Sequence, residues 1–108
     1  MQSAPISNVY AAAGDYTAIA GIAGKRIVIT GLYVSSSAAI TLTLKSNTTA
    51  LSGAMYVGAS DRLTFSSAPF TVMDEWWVTK TNAGENFVIT ASGAATVTGI
   101  VQYRYEAV

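Results

Sequence analysis

The strongest constraint on the fold is a pattern of alternating apolar and polar residues between positions 24 and 46. In residues 38–46 every second position is polar, interrupted only by Ala39 next to a turn. Alternation of this kind is typical of an antiparallel strand with one buried face. The predicted buried face carries Ala38, Ile40, Leu42 and Leu44.

The segment before it, residues 25–34, is apolar on both faces. A strand covered on both faces lies in the middle of a structure, either in a sandwich or at a subunit interface. The serines at 35–37 predict a turn that joins the two strands into a hairpin. Strict alternation places Ile27 and Ile29 on one face and Val28, Leu32 and Val34 on the other.

The rest of the chain consists of short segments with strand composition, separated by turn residues. No window has a helical period, and many short strands at this spacing are typical of a sandwich. We therefore predict an all-β fold, an antiparallel β-sandwich of jelly-roll type with eight or nine short strands. The strands predicted outside the hairpin cover residues 16–20, 54–57, 62–66, 76–79, 86–91 and 95–105.

The first 14 residues differ from the rest, because Pro5 cannot donate a hydrogen bond to a central ladder and residues 11–14 are all small. They predict an N-terminal extended arm, or a short edge strand, over residues 1–14. Residues 15–108 form one β-sandwich domain in this prediction.

The composition predicts association with other protein copies. Hydrophobic residues make up 51% and charged residues 11% of the chain, against about 25% charged residues in ordinary soluble domains. The net charge is zero, so that little repulsion keeps copies apart. No Lys/Arg cluster exceeds the pair Lys25-Arg26, which argues against a nucleic-acid partner. No apolar run is long enough to predict a membrane helix, and residues 1–5 do not resemble a secretory signal.

The residues that usually build a reaction centre are missing or scattered. The chain has no cysteine and no histidine, which excludes the usual zinc, thiolate and His-activated serine sites. Asp74 and Glu75 are adjacent, and neighbours on a strand point to opposite faces. We predict that the protein is not an enzyme and has no catalytic residue, metal site or cofactor.

The adjacent pair Trp76-Trp77 is the clearest candidate for a contact site. On a strand one indole enters the core, and the other lies on the opposite face. The outer indole is either covered by a neighbouring subunit or available to a ligand such as a sugar ring. The full set of residues predicted to lie at an oligomer or partner interface is Trp76, Trp77, Val28, Leu32, Val34, Ile6, Val9 and Tyr10.

Several segments together resemble a family of small virion proteins from tailed bacteriophages. The resemblance covers about residues 15–105, and its motifs are strand and turn patterns, without a catalytic signature. Its first half runs from Lys25-Arg26-Ile27 through Thr30-Gly31-Leu32 to Thr41-Leu42-Thr43, Lys45-Ser46 and the run Thr49-Ala50-Leu51-Ser52-Gly53. Its second half consists of Ala83-Gly84-Glu85-Asn86-Phe87, Ile89-Thr90 and the alternating Val97, Gly99, Val101 and Tyr103.

The resemblance implies a capsid decoration, or cement, protein. Such a protein binds the outer surface of the virion and bridges neighbouring subunits of the major capsid protein, most often as a homotrimer made in the host cytoplasm. The alternative is a tail or fibre-associated module that binds a host glycan through surface aromatics. A non-viral structural or adhesion domain is a third hypothesis.

Overall fold

A computed structural model describes residues 2–66 and 78–108. Within these ranges the chain forms ten strands and no helix, arranged in two antiparallel sheets that pack against each other. The prediction of an all-β sandwich is confirmed. The strands are β1 (Gln2–Tyr10), β2 (Gly14–Ile19), β3 (Lys25–Ser36), β4 (Ile40–Ser46), β5 (Thr49–Ala50), β6 (Met55–Val57), β7 (Arg62–Ser66), β8 (Thr79–Lys80), β9 (Phe87–Ala91) and β10 (Ala95–Ala107).

Each sheet has five strands. Sheet A has the order β1-β10-β3-β7, with β8 also paired to β3, and sheet B has the order β2-β9-β4-β5, with β6 also paired to β4. The core lies between the sheets and is built from the apolar faces that alternation predicts, including Leu42 and Leu44 from β4. Two of the ten strands, β5 and β8, are only two residues long.

The predicted hairpin of residues 25–34 and 38–46 is wrong. Strand β3 belongs to sheet A and β4 to sheet B, and the two strands do not pair with each other. Strand β3 pairs with β10, and β4 pairs with β9. The chain passes from sheet A to sheet B between β3 and β4, and it returns from sheet B to sheet A between β9 and β10. The two crossing segments thus form one antiparallel ribbon that bends over the core, because both strands bury an apolar face on it.

The bend of this ribbon is held by reciprocal hydrogen bonds. Ser37 N donates to Thr96 O (3.0 Å) and Thr96 N donates to Ser37 Oγ (2.8 Å). On the other side of the bend Ser92 N donates to Thr41 O (3.0 Å) and Thr41 N donates to Ser92 Oγ (2.8 Å). The serine hydroxyls replace ladder bonds that the bend would otherwise interrupt, so the backbone groups remain paired.

A β-bulge in β3 changes the faces that the sequence predicts. Ile29 pairs with Tyr103, whereas Gly31 pairs with Gln102, so that Thr30 has no partner position on β10. One extra residue reverses the alternation. Leu32 and Val34 therefore face the same core as Ile29, and the prediction that they lie on the opposite face is wrong.

Residues 2–10 are an edge strand that belongs to the sandwich. Strand β1 pairs with β10 over its whole length, and Ile6 and Tyr10 are buried in the core. The Tyr10 hydroxyl donates to the Ile89 carbonyl of sheet B (2.7 Å) and so ties the two sheets together. The sequence predicts either an extended arm or an edge strand for this region, and the edge strand is observed. A boundary at residue 14 between an arm and a domain does not fit a strand that belongs to the sandwich.

Candidate functional site

Most of the predicted interface residues lie inside a single chain. Leu32 and Val34 are core residues because of the bulge, and Ile6 and Tyr10 are core residues because β1 joins sheet A. Side chains that are buried within one chain cannot contact a partner without unfolding. These four are therefore corrected from interface to core positions.

The other four predicted residues have different positions. Val28 is fully buried but lies outside the core cluster, next to its register partners Lys80 and Arg104. Val9 is 73% exposed. Trp76 and Trp77 lie outside the described residues, as does half of the strand predicted at 76–79.

The outer face of sheet A carries an exposed apolar row that the sequence analysis missed. Pro5 pairs with Ile100, and Ile100 pairs with Tyr33, so the three residues lie side by side across β1, β10 and β3. Tyr33 is 37% exposed and Ile100 is 45% exposed. The next residue across is Thr64 of β7. We call Pro5, Ile100 and Tyr33 the apolar row.

Hydroxyl and amide groups border the apolar row. On one side lie Ser7, Thr98 and Ser35, and the hydroxyls of Ser35 and Thr98 are hydrogen bonded to each other (3.2 Å). On the other side lies Gln102, next to Gly31. The surroundings of the row are thus polar but uncharged, except for Arg62 at the edge of the sheet.

A hollow of about 220 Å³ lies beside the apolar row. Gly31 forms part of its lining, and an added Cβ there would come within 2.9 Å of the Gln102 Oε1 atom. The hollow is lined by Gly31, Leu32, Tyr33, Thr64, Phe65, Ile100 and Gln102.

Arg62 lies over the ring of Tyr33, with 5.9 Å between its Cζ atom and the ring centroid. Its register partner is Ser35, whereas the hollow is on the side of Gly31. Arg62 and the hollow therefore lie on opposite sides of Tyr33. A cation over an aromatic face is a favourable contact that restricts the ring, so one wall of the hollow is held in place.

The other end of the same face is charged. Arg26 donates to Glu106 Oε1 (2.8 Å), and Lys80 and Arg104 lie 3.7 and 3.5 Å from the same carboxylate. Burial pushes the pKa of Glu106 up, but the Arg26 hydrogen bond and the nearby Lys80 and Arg104 charges outweigh it, and the pKa lies below its usual value. This end is thus an ion-pair cluster, separated from the apolar row by the bulge.

The outer face of sheet B has a different surface. Its central pair, β4 and β9, presents Thr43 opposite Thr90, and Thr90 donates to Asp15 Oδ1 (2.6 Å). Lys45 lies 3.8 Å from the same carboxylate. The exposed aromatic residue on this sheet, Tyr56, is 69% exposed and has Thr41 as its register partner. Polar partners within the chain therefore occupy the middle of this face.

The sequence does contain a signal for the apolar row. The face of residues 95–105 opposite the predicted core face carries Thr96, Thr98, Gln102 and Arg104, and Ile100 is the apolar exception among them. An isolated apolar residue on a solvent face is common and carries little weight by itself. Ile100 is significant because Tyr33 lies beside it on the same face. Strict alternation would place Tyr33 on the core face, and only the bulge at Thr30 brings it to the outer face.

Within residues 2–66 and 78–108, no group of three acidic side chains comes close enough together to hold a metal ion. No helix in that part of the chain is long and apolar enough to cross a membrane. Comparison with protein-family models, curated proteins and solved structures found no match. A functional proposal therefore depends on the chemistry of the two outer faces.

Proposed function

We propose that this protein is a structural virion protein that decorates and cements a bacteriophage capsid, and that the outer face of sheet A is its docking surface. The observation that carries the proposal is the apolar row with its hollow, which is exposed on the hydroxyl-bearing half of this face, where Arg62 is the charged neighbour. Apolar and aromatic anchors surrounded by polar neighbours are typical of protein–protein contacts.

The charge distribution supports a protein partner. On the outer face, the side chains of β1 up to Val9 and those of β10 up to Gln102 are uncharged. Docking there would therefore desolvate few charged groups. A standard interface buries about 800 Å² per partner, which is more than the apolar row alone can provide. The hydroxyl-bearing positions beside it, Ser7, Thr98 and Ser35, are therefore part of the proposed contact.

In this proposal the partner is the major capsid protein, and the chain bridges neighbouring subunits on the outer surface of the shell. It acts as a homo-oligomer, with a trimer favoured, since a symmetric oligomer multiplies weak contacts through effective concentration. A protein that binds only the assembled shell stabilises it by mass action. A jelly-roll topology also remains part of the proposal, because the resemblance implies it.

The test uses shells of the virus that encodes the chain, stripped of this protein. Wild-type protein should co-sediment with the shells and raise the temperature at which they open. Ile100→Glu should abolish both effects, whereas Tyr56→Glu, the matched change on sheet B, should leave both unchanged. Circular dichroism must first show that both variants are folded. Failure of the wild-type protein to bind stripped shells would reject the proposal.

A glycan-binding function is the second candidate, and one observation favours it. Tyr33 is exposed beside an amide, Gln102, and a hydroxyl, Thr64. An aromatic ring together with hydrogen-bonding side chains can hold a sugar ring. The discriminating experiment is a titration of the labelled protein with neutral methyl glycosides, which is included in the experiment below.

A further inference from the structure

We propose that the hollow at Gly31 is a socket for one uncharged, apolar side chain of a partner polypeptide, whose backbone is bound by the amide of Gln102. This inference rests on the proposed docking function of sheet A and specifies the chemistry of the partner at its centre. It predicts that a partner loop presents an apolar side chain next to a free peptide group.

The size of the hollow fits a single side chain. Its volume of about 220 Å³ is below the range of roughly 300–1,000 Å³ that is usual for pockets that bind free small molecules. The hollow is also preformed, since Gly31 leaves the space and Arg62 restricts the ring of Tyr33. A preformed socket costs little ordering on binding.

The polar groups of the hollow match a peptide better than a sugar. Gln102 has one acceptor oxygen and an NH₂ donor, which complement the N–H and C=O of a peptide group. The other side-chain polar groups in the lining are the hydroxyls of Thr64 and Tyr33. A bound sugar ring has several hydroxyls, and those buried against the Tyr33 ring and Ile100 would lose hydrogen bonds to water without replacement.

The charge of the lining also restricts the partner. None of the seven lining residues is an aspartate, glutamate, lysine, arginine or histidine. A charged partner side chain would be partly desolvated with no opposite charge in the hollow. The side chain that enters the socket is therefore apolar, and an acidic or basic one is rejected.

The experiment needs no knowledge of the natural partner. Uniformly ¹⁵N-labelled protein is titrated with three probes at millimolar concentrations, namely N-acetyl-leucine methylamide, N-acetyl-aspartate methylamide and methyl β-glucoside. The leucine probe carries an apolar side chain and two peptide groups. It should shift the backbone amide signals of residues 31–33, 64–65, 100 and 102 more than those of the Thr43–Thr90 region, while the other two probes should not.

Two variants and a control locate the binding site. Gln102→Leu keeps the shape but removes the amide, and should weaken binding of the leucine probe about fivefold, the factor expected for one lost hydrogen bond. Gly31→Ala should weaken it as well, and the added methyl meets only the end of a flexible side chain. Tyr56→Ala on sheet B should leave the titration unchanged.

The outcomes separate this inference from the proposed function. Shifts with the glucoside alone would overturn the socket and favour the glycan candidate. No shift with any probe, or equal shifts in the Tyr56 region, would overturn the socket even if the protein binds shells. Shifts with the leucine probe in a protein that does not bind shells would support the socket and reject the capsid as its partner.

Discussion

The two halves of the bent ribbon are built from the same two chain segments but have different surfaces. The β4–β9 half keeps strict alternation, so that Thr43, Lys45 and Thr90 face outward, and Lys45 and Thr90 interact with Asp15. The β3–β10 half contains the bulge at Thr30, which the β4–β9 half lacks. The β4–β9 half, with regular alternation, thus has a polar outer face whose side chains bond within the chain. The β3–β10 half, with the bulge, has an outer face with an exposed apolar row.

The bulge also explains how one strand can carry two kinds of outer surface. Before Thr30 the outward positions of β3 are Arg26 and Val28, under the ion-pair cluster. After it the outward positions include Tyr33 and Ser35, beside Ile100 and Thr98. Bulges re-aim side chains and are often found next to functional sites. The comparison therefore supports the proposal that docking takes place on the half of the ribbon that departs from regular geometry.

Gly99→Ala should have the largest effect, confined at first to the β3–β10 half. An added Cβ would lie 1.8 Å from Tyr33 O and 2.9 Å from Val34 Cα. Because the clash is with backbone, the two strands must separate, and we expect a loss of about 4 kcal/mol or more in the free energy of unfolding. Gly93→Ala, whose nearest neighbour is Ile40 Cγ2 at 3.9 Å, is the matched control in the bend. Similar stability of both variants would contradict the close approach of β10 to β3.

Tyr10→Phe tests the tie between the two sheets. The change removes the hydrogen bond to the Ile89 carbonyl and leaves that carbonyl without this partner, at a cost of about 1–3 kcal/mol. Urea denaturation at pH 7 measures the loss. Tyr16→Phe, a change of the same size on β2, should cost less, and an equal loss in both would show that the hydrogen bond of Tyr10 has no special role.

The same residue makes an alkaline prediction. Burial, the largest cause, raises the pKa of Tyr10 to about 12 from 10.0. The native state therefore holds this proton more tightly than the unfolded state, so its stabilising contribution is complete below pH 10 and is lost as the pH rises from 10 to 12. Tyr10→Phe should reduce the slope of stability against pH in this window. Burial also raises the pKa of Tyr105, so a smaller slope should remain.

Glu106→Gln should give the smallest effect, and it tests whether the charged end matters to the fold. The pKa of Glu106 is lowered in the native state, so the stabilising contribution is present above the usual pKa of the carboxyl and is lost as the pH falls through the lowered value. The variant should show a flatter decrease of stability in acid and a weaker dependence on salt. If the stability of the variant decreased in acid as steeply as that of the wild type, the ion-pair cluster would contribute nothing to folding.

The β4–β9 half could be predicted from the sequence, and the β3–β10 half only in part. Ile40, Leu42 and Leu44 follow the period of two that a half-buried strand imposes, and they are core residues. The β10 core face of Val97, Gly99 and Val101 was predicted in the same way. A bulge has no such periodic signature, so strict alternation placed Leu32 and Val34 on the wrong face.

The pairing of the ribbon and the candidate site were harder to predict. A serine turn between two strands favours a hairpin from local composition alone, and only the reciprocal contacts of Ser37 and Ser92 with the other segment show the bend. The hollow depends on side chains from three strands that are distant in the chain. Its chemistry therefore depends on pairing register, which no single segment specifies.

The central claim is that the outer face of sheet A, and not that of sheet B, is the docking surface. The most direct measurement is co-sedimentation of Ile100→Glu and Tyr56→Glu with stripped shells, for folded proteins at equal concentration. The account predicts that Ile100→Glu is lost from the pellet while Tyr56→Glu binds like the wild type. Binding by Ile100→Glu with loss of Tyr56→Glu from the pellet would contradict it and assign docking to sheet B.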